Sequence, residues 1–469
     1  MFWGGWLLCK DENEPYINLK NGCYSHYCEF EDGRWLPESE QLSKLEHQGH
    51  NNERVELPLE DHLYLFLKGK FSNHKTVSAI FGLTLEEIQD QTDEWIKKVI
   101  KKLNSSRWFT TKRVRDDLFF QVMFATYDEP MANHICAQNV YEMPIGVTYA
   151  QFSQSRLLNT YLSVQHPKLS FSQQPDMNLD GVIGSWLFPS KVYLKSFVEK
   201  LKSEYLAAVS VVDKSASIEQ VVQAHNAFVS YLLFAGFVGT STRPNDDPYP
   251  HQQVFLMELN ALLITDKVIG YENETRISIF SDTFKEIMNA YQEQLKSLRF
   301  WLAALGYKKE AGMVLSAESF EQQQIPYVFY LDLKGSELTI SSITRDVIDK
   351  KMPEFNLPWN FGRHLRATWF RKLGVSPEYI NYDLGHIKAG EQPHASYSLL
   401  SVEHLTNTIA PAVNKIFEVL GIVSISAMPF KQRFPSKIEI YSSITPRELG
   451  YEKRKKNRLK GVMSDKDIV

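Results

Sequence analysis

The stretch from Asn360 to Ser398, NFGRHLRATWFRKLGVSPEYINYDLGHIKAGEQPHASYS, leaves few local folds open. Leu365, Trp369, Phe370 and Leu373 recur at spacings near three and four, the period of a helix with one buried face. Gly374 stops that helix, because glycine takes the left-handed backbone conformation a helix stop needs. Ser376 stands where an N-cap belongs, and Pro377 suits the first turn of a second helix that buries Ile380 and Leu384. Gly385 ends the second helix, and His386 follows at its exposed end. Tyr397 comes eleven residues later (397 − 386), on a polar loop with Gly390 and Pro393. Arginines (Arg363, Arg366), a histidine and a tyrosine are thus delivered from the ends of short elements, which is the chemistry of a phosphate site beside a nucleophile.

A chain of 469 residues has room for two or three domains at roughly 150 residues each. Its hydrophobic fraction of 43%, with 13% aromatics, supports packed cores and argues against global disorder. The net charge of −4 gives no overall basic signal, so any reading as a DNA binder rests on local patches. Four cysteines, Cys9, Cys23, Cys28 and Cys136, are too few for a disulfide scaffold and fit a reducing cytoplasm. Cys23-x-x-His26-x-Cys28 has no common zinc spacing, so free thiols and no metal are expected. There is no Walker-type loop, no paired Cys-x-x-Cys and no His-Glu-x-x-His, and no cofactor is expected. The opening MFWGGWLLCK is apolar but short and lacks a basic leader, and no stretch is expected to approach the roughly 20 apolar residues of a membrane span. A cytoplasmic protein without membrane contact is the expectation.

Residues 1–50 are turn-rich and read as a loosely ordered start or a small appendage. From Leu57 the pattern turns helical. A short helix around Thr76–Phe81 ends at Gly82, and Thr84 with Glu87 forms a capping-box pattern for the next, an arrangement with the spacing of a helix-turn-helix. The second helix, with Ile88 and Trp95 on its apolar face, carries Glu86, Glu87, Asp90, Asp93 and Glu94, which favours packing over reading a DNA groove. Lys97, Lys98, Lys101, Lys102, Arg107, Lys112, Arg113 and Arg115 follow, interleaved with Trp108 and Phe109. That run is either a surface for a nucleic-acid backbone or a solvated helix face. A helix from about Ser190 to Val209 has Val192, Tyr193, Phe197, Leu201 and Tyr205 on one face, with a domain boundary between about 185 and 217.

The second half opens with a strongly apolar helix, Ile218–Phe237, interrupted by Gly239-Thr240-Ser241-Thr242-Arg243-Pro244. Phe255–Thr265 and Arg276–Phe280 have strand character, with Asp266-Lys267 and the turn residues Gly270 and Asn273 between them, so a β-hairpin is predicted. Asp282 opens a long helix that buries Phe284, Ile287, Met288, Tyr291, Leu295, Leu298, Trp301 and Leu302. Tyr327–Leu338 reads as two short strands, Ser341–Lys351 and Val402–Leu420 as helices. The tail from Lys453 to Lys460 is basic, either touching phosphates or solvated.

Taken in order, Arg243, Lys267, Arg363, Leu384-Gly385-His386 and Tyr397 resemble the catalytic set of the tyrosine recombinases, the phage-integrase family. The resemblance covers about residues 217 to 420. Asp246, three residues after Arg243, falls at a position where the family often has an acidic residue. Two departures stand out: Asn360 replaces the family's first histidine, with His364 nearby, and Tyr397 lies about two residues further from the histidine than is usual. The resemblance implies a mostly α chain with a small antiparallel β-sheet (α+β). The expected division is an appendage (1–50), a helical domain (51–205) that the resemblance makes DNA-binding, a catalytic domain (213–440) and a basic tail (441–469). It implies a site-specific recombinase or integrase of a mobile element, acting on double-stranded DNA through a covalent 3′-phosphotyrosine and self-associating as a dimer or tetramer. Arg243 and Arg363 would clamp the phosphate and His386 would add a third hydrogen bond. Tyr397 would attack, and Lys267, otherwise a solvated hairpin lysine, would protonate the leaving 5′ oxygen. The same residues would serve a type-IB topoisomerase-like enzyme, and Asn360 leaves open a DNA-binding regulator with impaired catalysis.

Overall fold

The computed structural model describes residues 16–19, 21–27, 35–46, 54–70, 85–102, 110, 112–113, 116–136, 146–165, 169–171, 181–243, 247–269, 272–318, 323–386 and 400–429. The elements below lie in one unit, Met1–Met428. The basic tail falls outside the described residues.

The amino-terminal part mixes a small sheet with short helices. Strands β1 (Tyr16–Asn18), β2 (Cys23–Tyr27) and β3 (Arg54–Pro58) pair antiparallel in that order, with Tyr16 opposite Ser25 and Cys23 opposite Pro58. The sheet therefore joins residues on both sides of position 50. Helix α1 (Ser39–Leu42) lies between β2 and β3 in sequence. After α2 (Asp61–Lys70) and α3 (Leu85–Lys102) come α4 (Asp117–Thr126), α5 (Glu129–Cys136), the single turn α6 (Gly146–Tyr149), β4 (Gln151–Ser153), α7 (Gln154–Gln165) and β5 (Val182–Gly184). Val55, Leu57, Leu118, Val122, Met131, Ile135, Phe152, Leu157 and Ile183 close a small apolar core. Phe152 serves it from a strand, paired with Ile183. Among the described side chains of α3 the buried one is Ile96, while Trp95, expected on the packed face, is 55% exposed. One residue is a rotation of about 100°, enough to turn an indole from core to solvent. The first helix of the suggested helix-turn-helix lies outside the described residues.

The larger core is built around one apolar helix. Helix α8 (Lys191–Ser210) starts at Ser190, whose hydroxyl accepts from the Tyr193 amide at 3.2 Å, and buries Leu194, Phe197, Leu201 and Tyr205. Val192, expected on that face, is 81% exposed because Leu194 takes the inward position. Helix α9 (Ile218–Gly239) opens with a capping box: the Ser217 amide donates to Gln220 Oε1 at 2.8 Å and the Gln220 amide to Ser217 Oγ at 3.4 Å. By length and hydropathy α9 is long and apolar enough to cross a membrane, which corrects the expectation that no stretch is, and it is mostly buried inside the protein. A helix apolar on all sides needs protein on all sides. Helices α8, α10 (Asp282–Ala304) and α13 (Phe361–Lys372) and strand β9 (Phe329–Lys334) supply it.

Three strands, β6 (Phe255–Leu256), β7 (Ala261–Ile269) and β8 (Glu272–Ile279), form an antiparallel sheet, and β7–β8 is the predicted hairpin. Its register breaks between Thr265 and Val268, so Asp266 and Lys267 sit at an irregularity. Helix α11 (Lys308–Ala317) follows α10, and β9 pairs with β10 (Glu337–Ser342). Because Ser341 and Ser342 complete β10, the helix expected from Ser341 begins only at Arg345, capped by Thr344, as α12 (Arg345–Lys351). Helix α13 is followed by α14 (Pro377–Leu384), and α15 (Val402–Leu420) packs its apolar face into the same core. The architecture is mostly helical with small antiparallel sheets, an α+β arrangement.

Candidate active site

The turn signals between Asn360 and His386 do the positioning. Gly374 and Gly385 both adopt positive φ, 79° and 69°, ending α13 and α14. The Val375 amide returns to the Phe370 carbonyl at 2.9 Å and the His386 amide to the Asn381 carbonyl at 2.8 Å, which closes each helix end. Ser376 and Pro377 start α14 as expected, although the Ser376 side chain makes no capping bond.

Under the site lies a closed ionic network. Arg366 is fully buried and holds Asp383, also fully buried, through Nε to Oδ2 at 2.9 Å and Nη2 to Oδ1 at 2.7 Å. The Ser278 hydroxyl and the Ile279 amide, each at 3.0 Å, also donate to Asp383 Oδ1. Arg366 further donates to the carbonyls of Gly239 at 2.8 Å and Ile279 at 2.9 Å. Buried opposite charges with these hydrogen bonds fix the end of α9, β8, α13 and α14 to one another.

One turn earlier on α13, Arg363 points its guanidinium elsewhere. It donates to the Ser241 carbonyl at 3.1 Å and the Leu384 carbonyl at 2.6 Å, and its Nη2 lies 3.2 Å from His386 Nε2. Arginine only donates, so His386 Nε2 accepts and the imidazole proton sits on Nδ1. That Nδ1 is buried without a hydrogen-bond partner among the described residues. Arg276, from β8, donates to the Asp383 carbonyl and the Ser241 carbonyl, both at 2.6 Å, and also to Ser241 Oγ. Arg243, just beyond α9, donates to the Tyr149 hydroxyl at 3.2 Å. The Tyr149 ring in turn faces the Arg363 guanidinium, 5.1 Å from carbon to ring centre, and lies 4.4 Å from the His364 ring and 4.9 Å from the His386 ring.

The site concentrates positive charge. Burial lowers the His386 pKa well below its ordinary value, and Arg363, Arg276, Arg243 and Arg371 lower it further. Burial, then Arg363 and Arg243, takes His364 down to about 3. Both histidines are therefore neutral donors beside concentrated positive charge. Asn360 Nδ2 donates to His364 Nε2 at 3.3 Å, which places the His364 proton on Nδ1 against Ser185 Oγ at 2.6 Å. The Asn360 amide is thus engaged in orienting His364.

Arg243, Arg363, His386, His364 and Asn360 are brought together. Lys267 is on β7, and nothing is described of its side chain. Tyr397, Asp246, Arg107 and Arg115 lie outside the described residues. Lys97, Lys98, Lys101 and Lys102 are exposed towards the end of α3, with Lys98 3.5 Å from Glu94, and Lys112 and Arg113 are exposed as well. Among the described residues no group of three His, Cys, Asp or Glu side chains is arranged to hold a metal. Sequence reasoning missed Tyr149, Ser185, Ser241 and Asp383. Ser241 lay within the Arg243 turn and Asp383 beside the Leu-Gly-His run, but nothing local marked Tyr149 or Ser185. No protein-family model matches the chain, and no curated protein matches it.

Proposed function

We propose that this chain breaks and rejoins DNA as a tyrosine-recombinase-type enzyme, serving site-specific recombination or integration of a mobile element. The supporting observation is the convergence of Arg243, Arg363 and the His386 Nδ1 donor, unpartnered among the described residues, from three separate stretches of chain. Two guanidiniums clamp the non-bridging oxygens of a phosphodiester, whose negative charge grows in the transition state, and lysine cannot reproduce that paired geometry. His386 Nδ1–H supplies the third hydrogen bond. Tyr397 gives its proton to solvent, its phenolate attacks phosphorus, and the bond to the 5′ oxygen breaks as a 3′-phosphotyrosine forms. Lys267 gives its proton to the leaving 5′ oxygen. A 5′ hydroxyl reverses the step and reseals the strand, so the phosphodiester energy is retained in the covalent link.

Duplex DNA is the partner, with the exposed lysines of α3 meeting its backbone and several copies assembling on one site in the cytoplasm. The test is a nicked suicide duplex drawn from the DNA flanking the coding region, where an integrase finds its attachment site. A denaturation-resistant protein–DNA adduct that Tyr397→Phe abolishes supports the reading. Tight DNA binding with no adduct from any flanking duplex favours the regulator, and relaxation of plasmids lacking the site favours the topoisomerase-like enzyme.

A further inference from the structure

Tyr149 belongs to the cluster but has no part in the recombinase chemistry proposed above. It comes from the amino-terminal part, 94 positions before its hydrogen-bond partner Arg243, yet it touches four site residues at once. Its hydroxyl oxygen accepts from Arg243, as a phosphate oxygen would. Its π face lies against the Arg363 guanidinium, so the ring quadrupole meets a cation. The residues around it hold it there: the Gln151 amide donates to Thr368 Oγ1 of α13 at 3.2 Å, and the Ser185 amide to the Ala150 carbonyl at 2.8 Å. Two turns along α13 from Arg363, Arg371 grips Asp128, next to α5, at 2.8 Å and 3.2 Å through a buried ion pair.

We infer that Tyr149 is an internal occupant of the anion pocket, standing in the free chain where a phosphate group would sit. The inference rests on the reading of Arg243, Arg363 and His386 as a phosphate site. A phenol is a neutral acceptor with one oxygen, whereas a phosphate is charged and offers several. Arginine's charge assists both bonds, but a phosphate adds an opposite full charge and several acceptor oxygens, so it displaces the ring but at a reduced apparent affinity. Tyr149 therefore sets a threshold: isolated phosphates bind weakly, and a duplex, which adds contacts along its backbone, binds with the ring displaced.

The test is a calorimetric titration of the full chain with inorganic phosphate, comparing the native protein with Tyr149→Ala, Tyr149→Phe and Arg243→Gln, each checked for native circular dichroism. If the occupied state holds about nine-tenths of the native population, Tyr149→Ala binds about tenfold more tightly. Tyr149→Phe, which keeps the ring and loses the hydroxyl, also binds more tightly but by less, and it decides the matter alone if the alanine variant does not fold. Arg243→Gln weakens binding. Unchanged or weaker binding in the Tyr149 variants, with Arg243→Gln still impaired, overturns the occupant and leaves the phosphate site standing. Failure of every protein, Tyr149→Ala included, to bind phosphate overturns both.

Discussion

Arg363 and Arg366 lie one turn apart on α13, both buried, with very different surroundings. Arg366 is matched by a buried carboxylate and by backbone carbonyls, and the region around it is electrically closed. The described hydrogen bonds of Arg363 run to carbonyl oxygens and an imidazole, and a tyrosine ring lies against its face. A buried guanidinium matched by a carboxylate holds helices in place. Arg363 instead stands with Arg276, Arg243 and Arg371 around His386, which concentrates positive charge there. The contrast separates floor from pocket more sharply than burial does, since both arginines are buried.

The strongest way to break this contrast is at the floor. Asp383→Asn leaves Arg366 buried without its counter-charge, at an expected cost of about 3–5 kcal/mol. Denaturant titration checks it, and an unchanged midpoint would mean that the floor is not closed by charge. The small core offers a second contrast, since its buried histidines lie away from the pocket. His26 Nε2 donates to the His134 carbonyl at 2.7 Å. Burial lowers His26 to about 4; burial, then His26 and Arg371, lowers His134 to about 3. Both folded values are depressed, so the stability they contribute is full above the unfolded value near 6.5 and is lost as pH falls below it. For His26 the loss approaches about 3 kcal/mol by the time its folded value is reached. Melts across that range measure the slope, and His26→Gln should flatten it.

Gly362 sharpens the comparison from the packing side. A methyl group there would overlap the Phe237 carbonyl oxygen, so α13 can approach α9 this closely only at glycine. Gly362→Ala should cost about 1–3 kcal/mol and pull Arg363 from its carbonyl partners. The readouts are thermal stability and phosphate affinity, expected to fall together. The smallest effect on stability belongs to Arg243→Gln. Arg243 is half-buried, and its described hydrogen bond goes to a single hydroxyl, so stability should stay within about 0.5 kcal/mol of native while phosphate binding drops. Loss of fold in this variant would place Arg243 with the floor rather than the pocket.

The two helices carrying Arg363 and leading to His386 were legible because their starts and stops are chemical: Gly374, Ser376-Pro377 and Gly385 allow little else. The hairpin carrying Lys267 and the capped helix α9 were legible for the same local reasons. Trp95 and Val192 turn outward: a helical face read from apolar spacing is uncertain by one or two residues, and nearby Ile96 and Leu194 fit the available space. The Arg366–Asp383 pair joins two helices across a turn, and charge alone does not tell a structural arginine from a ligand-binding one. Tyr149 was beyond reach, because its meaning lies in contacts with Arg243, Arg363, His364 and His386, which only the tertiary fold creates.

The most direct measurement is mass spectrometry of a trapped protein–DNA complex after digestion with nuclease and protease. A nucleotide-sized mass on the peptide containing Tyr397, joined through a 3′ phosphate, is the predicted result. Peptides without nucleotide, or a nucleotide carried by any other residue, would contradict the account.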